Sequence, residues 1–176
     1  FEKMGGPKKQ RKKFSKPGHP WQKERIAEEK IILKQYGLRR KDEVWKMDSM
    51  LKKFLHRAKT IIGQRTLQSD IEKKQLLNRL HLLGILKKDS KVEDVLNLTL
   101  KDILERRLQT LVHRKNIAKT MLQARQFITH EQIVVGIRKV TTPSYLVSIE
   151  EEPQIKLIHL INLSGKEQKV EKVKAE

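Results

Sequence analysis

Arg106, Gln109 and Arg114, then Thr120, Gln123, Arg125, Gln126 and His130, set guanidinium, amide, hydroxyl and imidazole groups at helical spacings. A guanidinium grips a phosphate through two parallel hydrogen bonds, and an amide beside it reaches a sugar or a base edge. Lys115 and Lys119 flank the break between the two stretches, and Arg138 and Lys139 follow a glycine turn. Gln123, Gln126 and His130 fall on one face by helical spacing. This set suits holding a folded polyanion. It offers no nucleophile, metal or cofactor cradle. The chain has no cysteine, which excludes thiol catalysis and thiolate zinc. The histidines at 19, 56, 81, 113, 130 and 159 do not pair at helical metal spacing. Glu150, Glu151 and Glu152 are adjacent on a loop, where they do not converge as paired catalytic carboxylates, so they are read as solvated or as a contact for a basic neighbour protein. No cofactor, metal or small-molecule substrate is expected, and no enzymatic activity.

The elements that must position these groups are short. Ile103, Leu104, Leu108, Leu111 and Val112 predict one helical face, with Arg106, Gln109, Thr110, His113 and Arg114 around the rest. Asn116 fits the left-handed position after that helix. Thr120 with Gln123 three residues on predicts a capped second helix, with Leu122, Ala124, Phe127 and Ile128 turned inward. Val135-Gly136-Ile137-Arg138 predicts a two-residue hairpin turn with glycine first, as type II′ requires. Pro143 breaks the strand, and Tyr145–Val147 and Ile155–Ile161 offer further strands.

Upstream the pattern is helical. Ile26 and Leu33 lie seven apart before Gly37, and Val44, Met47, Leu51, Phe54, Leu55, Ala58 and Ile62 recur at spacings of three and four up to Gly63. Ser69 with Glu72, Ser90 with Glu93 and Thr99 with Asp102 predict three helix starts, the first leading the Leu76, Leu77, Leu80 and Leu83 stripe. Ahead of all this, Lys8, Lys9, Arg11, Lys12 and Lys13 form a basic run that reads as an arm ordered by phosphates. The corner Pro17-Gly18-His19-Pro20-Trp21 presents Trp21 either to a base or sugar or, the favoured reading, to the helical core. Lys34, Lys52, Lys73 and Lys91 read as a solvated face.

The chain's 176 residues carry 40 Lys and Arg against 21 Asp and Glu, net +19. Residues 1–46 hold +9 of this and residues 106–158 hold +5. Such a charge repels itself and calls for an anionic partner, nucleic acid before a membrane. Hydrophobic residues make up 37% and aromatics 5%, so the core must be small and aliphatic. No apolar run approaches the roughly 20 residues of a membrane span, and no signal-peptide core stands at the N-terminus, so a cytoplasmic location without membrane contact is expected.

Arg106–Thr110, Thr120–Ile128 and Thr141-Thr142-Pro143-Ser144-Tyr145-Leu146-Val147 resemble the RNA-binding domain named after small-subunit ribosomal protein four. Gly5–Lys13 and Pro17–Trp21 resemble the archaeal and eukaryotic form of that ribosomal protein, and the similarity runs from about Gly5 to Leu157. The resemblance implies a structural protein that binds the 5′ body of small-subunit ribosomal RNA at a multi-helix junction early in assembly. It implies a place beside small-subunit protein five, near the channel where messenger RNA enters, with an influence on decoding accuracy. It implies RNA-facing roles for Arg106, Gln109, Arg114, Thr120, Gln123, Arg125, Gln126, His130, Arg138 and Lys139, to which the arm, His19, Lys115 and Lys119 are added on charge and position. Two positions depart from the family pattern: Glu131 stands where Gly is usual, and Gly136-Ile137 replaces an Asn-Gly turn. Bacterial members sometimes carry zinc in the arm, for which this chain has no cysteine.

The expected fold is therefore α+β. A basic extended arm (1–20) precedes a small helical domain (21–105). A compact RNA-binding domain (106–163) of two short helices on a small twisted antiparallel sheet follows, then a charged tail (164–176). The competing readings are a non-ribosomal RNA-binding chaperone and the RNA-binding module of an RNA-modifying enzyme.

Overall fold

A computed structural model describes residues 12, 14–64 and 66–158. The expectations for Lys8, Lys9, Arg11, Lys13 and the tail lie outside the described residues. The element order is α1 (Lys23–Gln35), α2 (Lys41–Gly63), α3 (Leu67–Leu82), α4 (Val92–Leu96), α5 (Leu100–Glu105), α6 (Leu108–Arg114), α7 (Met121–Thr129), β1 (Ile133–Val135), β2 (Arg138–Lys139), a 3-10 turn (Glu152–Gln154) and β3 (Ile155–Leu157). Helices lead and a small sheet follows, which is the α+β arrangement expected.

α2 is the spine of the first core. Val44, Met47, Leu51, Phe54, Ala58 and Ile61 recur every three or four residues on its buried face, against α1, α3, α4 and α5. Ile61, not Ile62, completes the stripe, and Leu55 stays at its margin. Two caps shift from their expected places. Thr66 starts α3: its hydroxyl accepts Ser69 N–H at 3.3 Å, and the Ser69 hydroxyl accepts Thr66 N–H at 3.2 Å. The reciprocal pair is satisfied three residues ahead of the Ser69–Glu72 reading, because Ser69 serves as the third helical residue. At α4 the Asp94 carboxylate accepts Lys91 N–H at 2.8 Å, one residue past the Ser90–Glu93 reading. Thr99 and Asp102 pair as expected, also at 2.8 Å.

The second core gathers Leu108, Leu111, Val112, Ala118, Ala124, Ile128, Ile133, Val135, Val147 and Ile155. Here α6 and α7 pack together over a three-stranded antiparallel sheet of order β2-β1-β3, with Val135 opposite Arg138 and opposite Ile155. Gly136 alone in its turn takes a positive φ, 62°, as a type II′ hairpin demands. Leu122, expected inward, is exposed. Tyr145–Val147 makes one bridge, Leu146 to Arg107, and not a strand.

The expected continuous face from Ile103 to Val112 is divided. Arg106 and Arg107 break the helix, with Arg107 extended at φ −72°, ψ 141°. Ile103 and Leu104 stay in the first core, and Leu108 enters the second. Within the second unit the break leaves Leu108 N–H to donate to Tyr145 C=O at 2.8 Å and Arg106 C=O to accept Val147 N–H at 3.1 Å, while Ile149 N–H crosses to Leu82 C=O of the first unit at 2.9 Å. The chain ahead of α1 also takes part in the first unit. Phe14 lies 6.2 Å from Trp45 between ring centres, and Ser15 N–H donates to the Ser49 hydroxyl. Packing thus begins by Phe14, inside the stretch read as arm.

Two left-handed residues give tests of this frame. Gly37 has φ +58°, and a β-carbon there would lie 2.7 Å from the Met121 β-carbon and 2.9 Å from the Gln109 amide nitrogen. Gly37→Ala is expected to cost about 2–4 kcal/mol, combining left-handed strain with overpacking at the junction of the two units; unchanged urea denaturation would refute this. Glu131 has φ +59° at the end of α7, where Gln132 N–H closes onto Phe127 C=O at 2.9 Å. Glycine suits that helix terminus, so Glu131→Gly is expected to raise stability by about 0.5–1 kcal/mol in the same assay.

Candidate nucleic-acid interface

The start of α7 is built as the sequence predicts. The Thr120 hydroxyl accepts Gln123 N–H at 3.1 Å, and the Gln123 side-chain oxygen accepts Lys119 N–H at 2.9 Å. This fixes Gln123 with its amide N–H₂ still available. Lys119, Thr120, Gln126 and His130 are exposed, as are Arg138 and Lys139 on β2. Lys12 and His19 are exposed near the N-terminus. Arg114 is exposed and pairs with Glu105 at 2.6 Å, a contact worth little in water.

Other expected contacts are corrected. Gln109 is fully buried: its amide donates to Gly37 C=O at 3.1 Å and Met121 C=O at 2.9 Å, so it clamps the two units and has no RNA-facing surface. Thr110 is buried too, its hydroxyl donating to Leu104 C=O at 2.9 Å. Arg106 does not stand free. It donates to Glu152 at 2.7 Å and Val147 C=O at 3.1 Å, packed against Gly84. Lys115 donates to the Glu152 carbonyl. The acidic loop is consequently a strut, not a solvated cluster. Glu152 holds Arg106, and Glu151 accepts from Tyr145 O–H at 2.8 Å and Ser148 N–H at 3.1 Å. The hydrogen bond to Glu151 raises the Tyr145 phenol above its ordinary value.

Arg125 is also drawn inward, but to a partner that neither its charge nor its spacing announced. Both its terminal nitrogens reach Glu43 at the start of α2, at 3.0 and 3.2 Å. Arg107, whose side chain is 1% exposed, reaches the same carboxylate at 2.8 Å. Burial pushes the Glu43 carboxyl up, but hydrogen bonds and charge from Arg125 and Arg107 outweigh it and hold the group below its ordinary value. Burial lowers the Arg107 guanidinium against the pull of Glu43.

Beside this triad opens a cleft of about 410 Å³, where the start of α2 meets α7 and the Pro143-Ser144 loop. Arg39 and Arg40 are exposed on it, and Lys46, Arg107 and Arg125 complete five cations against Asp42 and Glu43. Sequence reasoning passed over Arg39, Arg40, Glu43 and Arg107. The run Arg39-Arg40-Lys41 carries a visible signal in its charge, whereas nothing in the local sequence marks Glu43 as the partner of cations 64 and 82 residues away.

Linkage gives the triad a pH signature. A carboxyl lowered on folding contributes fully above its unfolded value, above about pH 5, and loses that contribution as pH falls through the folded value. Glu43→Gln is expected to cost about 3 kcal/mol at pH 7, since Arg107 is left buried without its counter-charge. The gap to the parent chain should narrow as pH falls below about 4 in urea denaturation; a gap of equal size at neutral and acid pH would contradict the assignment.

Residues 106–152 match the S4 domain. The chain is 47% identical over 150 residues to the small ribosomal subunit protein uS4 of Saccharolobus solfataricus, covering 85% of this chain and 83% of that one. It is 46% identical over 152 residues to the small ribosomal subunit protein uS4 of Ignicoccus hospitalis, covering 86% and 92%. The agreement extends through the helical unit as well as the S4 domain, and the chain belongs to the small ribosomal subunit protein uS4 family.

Proposed function

We propose that the chain grips small-subunit ribosomal RNA through the cleft at the start of α2 and the exposed polar face around α7 and β2. The chain is a structural constituent of the small ribosomal subunit that binds ribosomal RNA, and it is not an enzyme. The observation that supports this mode of binding is the cleft itself, with five cations against two carboxylates. A phosphodiester entering there meets the exposed guanidiniums of Arg39 and Arg40, while Glu43 holds Arg107 and Arg125 in place and the three together keep one net positive charge. Around it Arg114, Lys119, Thr120, Gln123, Gln126, His130, Arg138 and Lys139 supply phosphate, sugar and base-edge contacts, with Lys12 and His19 on the N-terminal side. Arg106, Lys115 and Arg125 act chiefly by holding that surface in shape.

Family membership supports the finer reading. The RNA is the multi-helix junction of the 5′ body, bound early in assembly. The neighbour is small-subunit protein five, and messenger RNA passes nearby, which links the chain to decoding accuracy.

Phosphate binding of this kind must be salt-dependent. Affinity for junction RNA is expected to fall on the order of a thousandfold between 50 and 200 mM salt if roughly six phosphates are neutralised. Arg39→Ala with Arg40→Ala should weaken binding to junction and random duplex RNA alike. The slope of log affinity against log salt should become shallower by about one for each phosphate left without its cation. The melting temperature should not move, since both side chains are exposed. Unchanged affinity and slope in the double variant would exclude the cleft.

A further inference from the structure

The sequence favours the helical core for Trp21, and the structure leaves it 90% exposed. Leaving an indole in water is unfavourable, more so in a chain with only two tryptophans and 5% aromatic residues. Trp45 shows the contrast: it is half-buried against Phe14, and its N–H donates to Glu29 at 2.9 Å.

The exposed indole sits on a backbone that is held. Arg25 donates to the His19 carbonyl and the Pro20 carbonyl, each at 2.9 Å. Its other terminal nitrogen pairs with Glu29, which is buried and also takes the Trp45 N–H. Pro20 fixes its own φ directly ahead of Trp21. A chain of contacts thus runs from the first core through Glu29 and Arg25 to the two carbonyls preceding Trp21. The corner is fixed and the ring it carries touches almost nothing.

We propose that Trp21 is a stacking platform for an unpaired nucleobase of the RNA; the inference rests on the RNA-binding reading given under Proposed function. The surroundings favour a base over an apolar protein surface. His19, Lys16 and Lys23 are exposed on either side, and the next strongly exposed apolar residue along the chain is Ile31, ten positions on. A lone flat ring flanked by cations matches a base with its phosphates, since every base presents a π-face and each phosphate takes a cation. A protein contact would need a continuous apolar patch. Stacking also tolerates any base, so Trp21 would recognise that a nucleotide is unpaired, not which one it is.

The test uses the full chain with two RNAs of equal length, one a small-subunit ribosomal RNA fragment with an unpaired loop and one a perfect duplex. Affinity and intrinsic tryptophan fluorescence are measured for the parent, Trp21→Phe, Trp21→Leu and Trp21→Ala, with melting temperature recorded for each. The looped RNA should quench parent fluorescence, and that component should vanish in Trp21→Phe, which nonetheless keeps affinity. Trp21→Leu and Trp21→Ala should each lose about tenfold on the looped RNA and little on the duplex. Melting temperatures should stay level. Leu rescuing as well as Phe would overturn stacking in favour of a plain apolar contact, and an unchanged affinity of Trp21→Ala for the looped RNA would overturn any role for the ring. If the parent binds neither RNA, the RNA-binding reading fails first; parent binding with a silent Trp21 sinks this inference alone.

Discussion

The Arg107 guanidinium is buried, and a buried charge must be met by an opposite one or it would destabilise the fold by several kcal/mol. Glu43 meets it from the other unit, 64 residues earlier in the chain, and meets Arg125 with the same carboxylate. This single group therefore joins the start of α2, the break between α5 and α6, and the middle of α7. Two ions removed from water do not by themselves guarantee net stability, because desolvation offsets their attraction. What the triad supplies is orientation. A one-residue change of register in α6 or a rotation of α7 would separate the guanidiniums from Glu43 and leave charge uncompensated.

The other junction contacts follow from the same break in the helix. With Arg106 and Arg107 out of helical conformation, Gln109 lands in the gap, donating to Gly37 on one side and Met121 on the other. Gly37 must be left-handed and must lack a β-carbon for Met121 and Gln109 to approach. Arg106, Glu152 and Lys115 brace the opposite side. Two small cores, neither large enough to be robust alone, are thereby held as one surface. That matters for RNA, whose phosphates have fixed spacing: the exposed cations on α2's approach, α7 and β2 are useful only if the units that carry them do not shift.

A division of labour among the basic residues results. Those with long-range partners or buried acids, Arg25, Arg106, Arg107 and Arg125, build the frame. Those left in solvent, Arg39, Arg40, Lys119, Arg138 and Lys139, carry the net positive field. Family resemblance grouped members of both sets as RNA contacts, because a sequence records that a residue is basic and not where its counter-charge lies.

Much of the local architecture was legible from the chain alone. The α2 stripe, the Thr120–Gln123 and Thr99–Asp102 caps, left-handed Asn116 and the glycine-first hairpin all depend on residues within a turn or two of each other, and periodicity and capping chemistry report such short-range physics directly. The net charge and the motif order likewise pointed to ribosomal RNA without any coordinates. The tertiary structure alone decided which polar groups face inward. Gln109 and Thr110 went to the core, Glu151 and Glu152 became struts, Arg107 was buried on Glu43, and Trp21 was left in water. Those outcomes depend on how separate elements come together, or on no partner arriving at all, and a helical wheel describes one element at a time. Residue type and spacing determine which groups are able to bond; only the folded chain decides which of them are already taken.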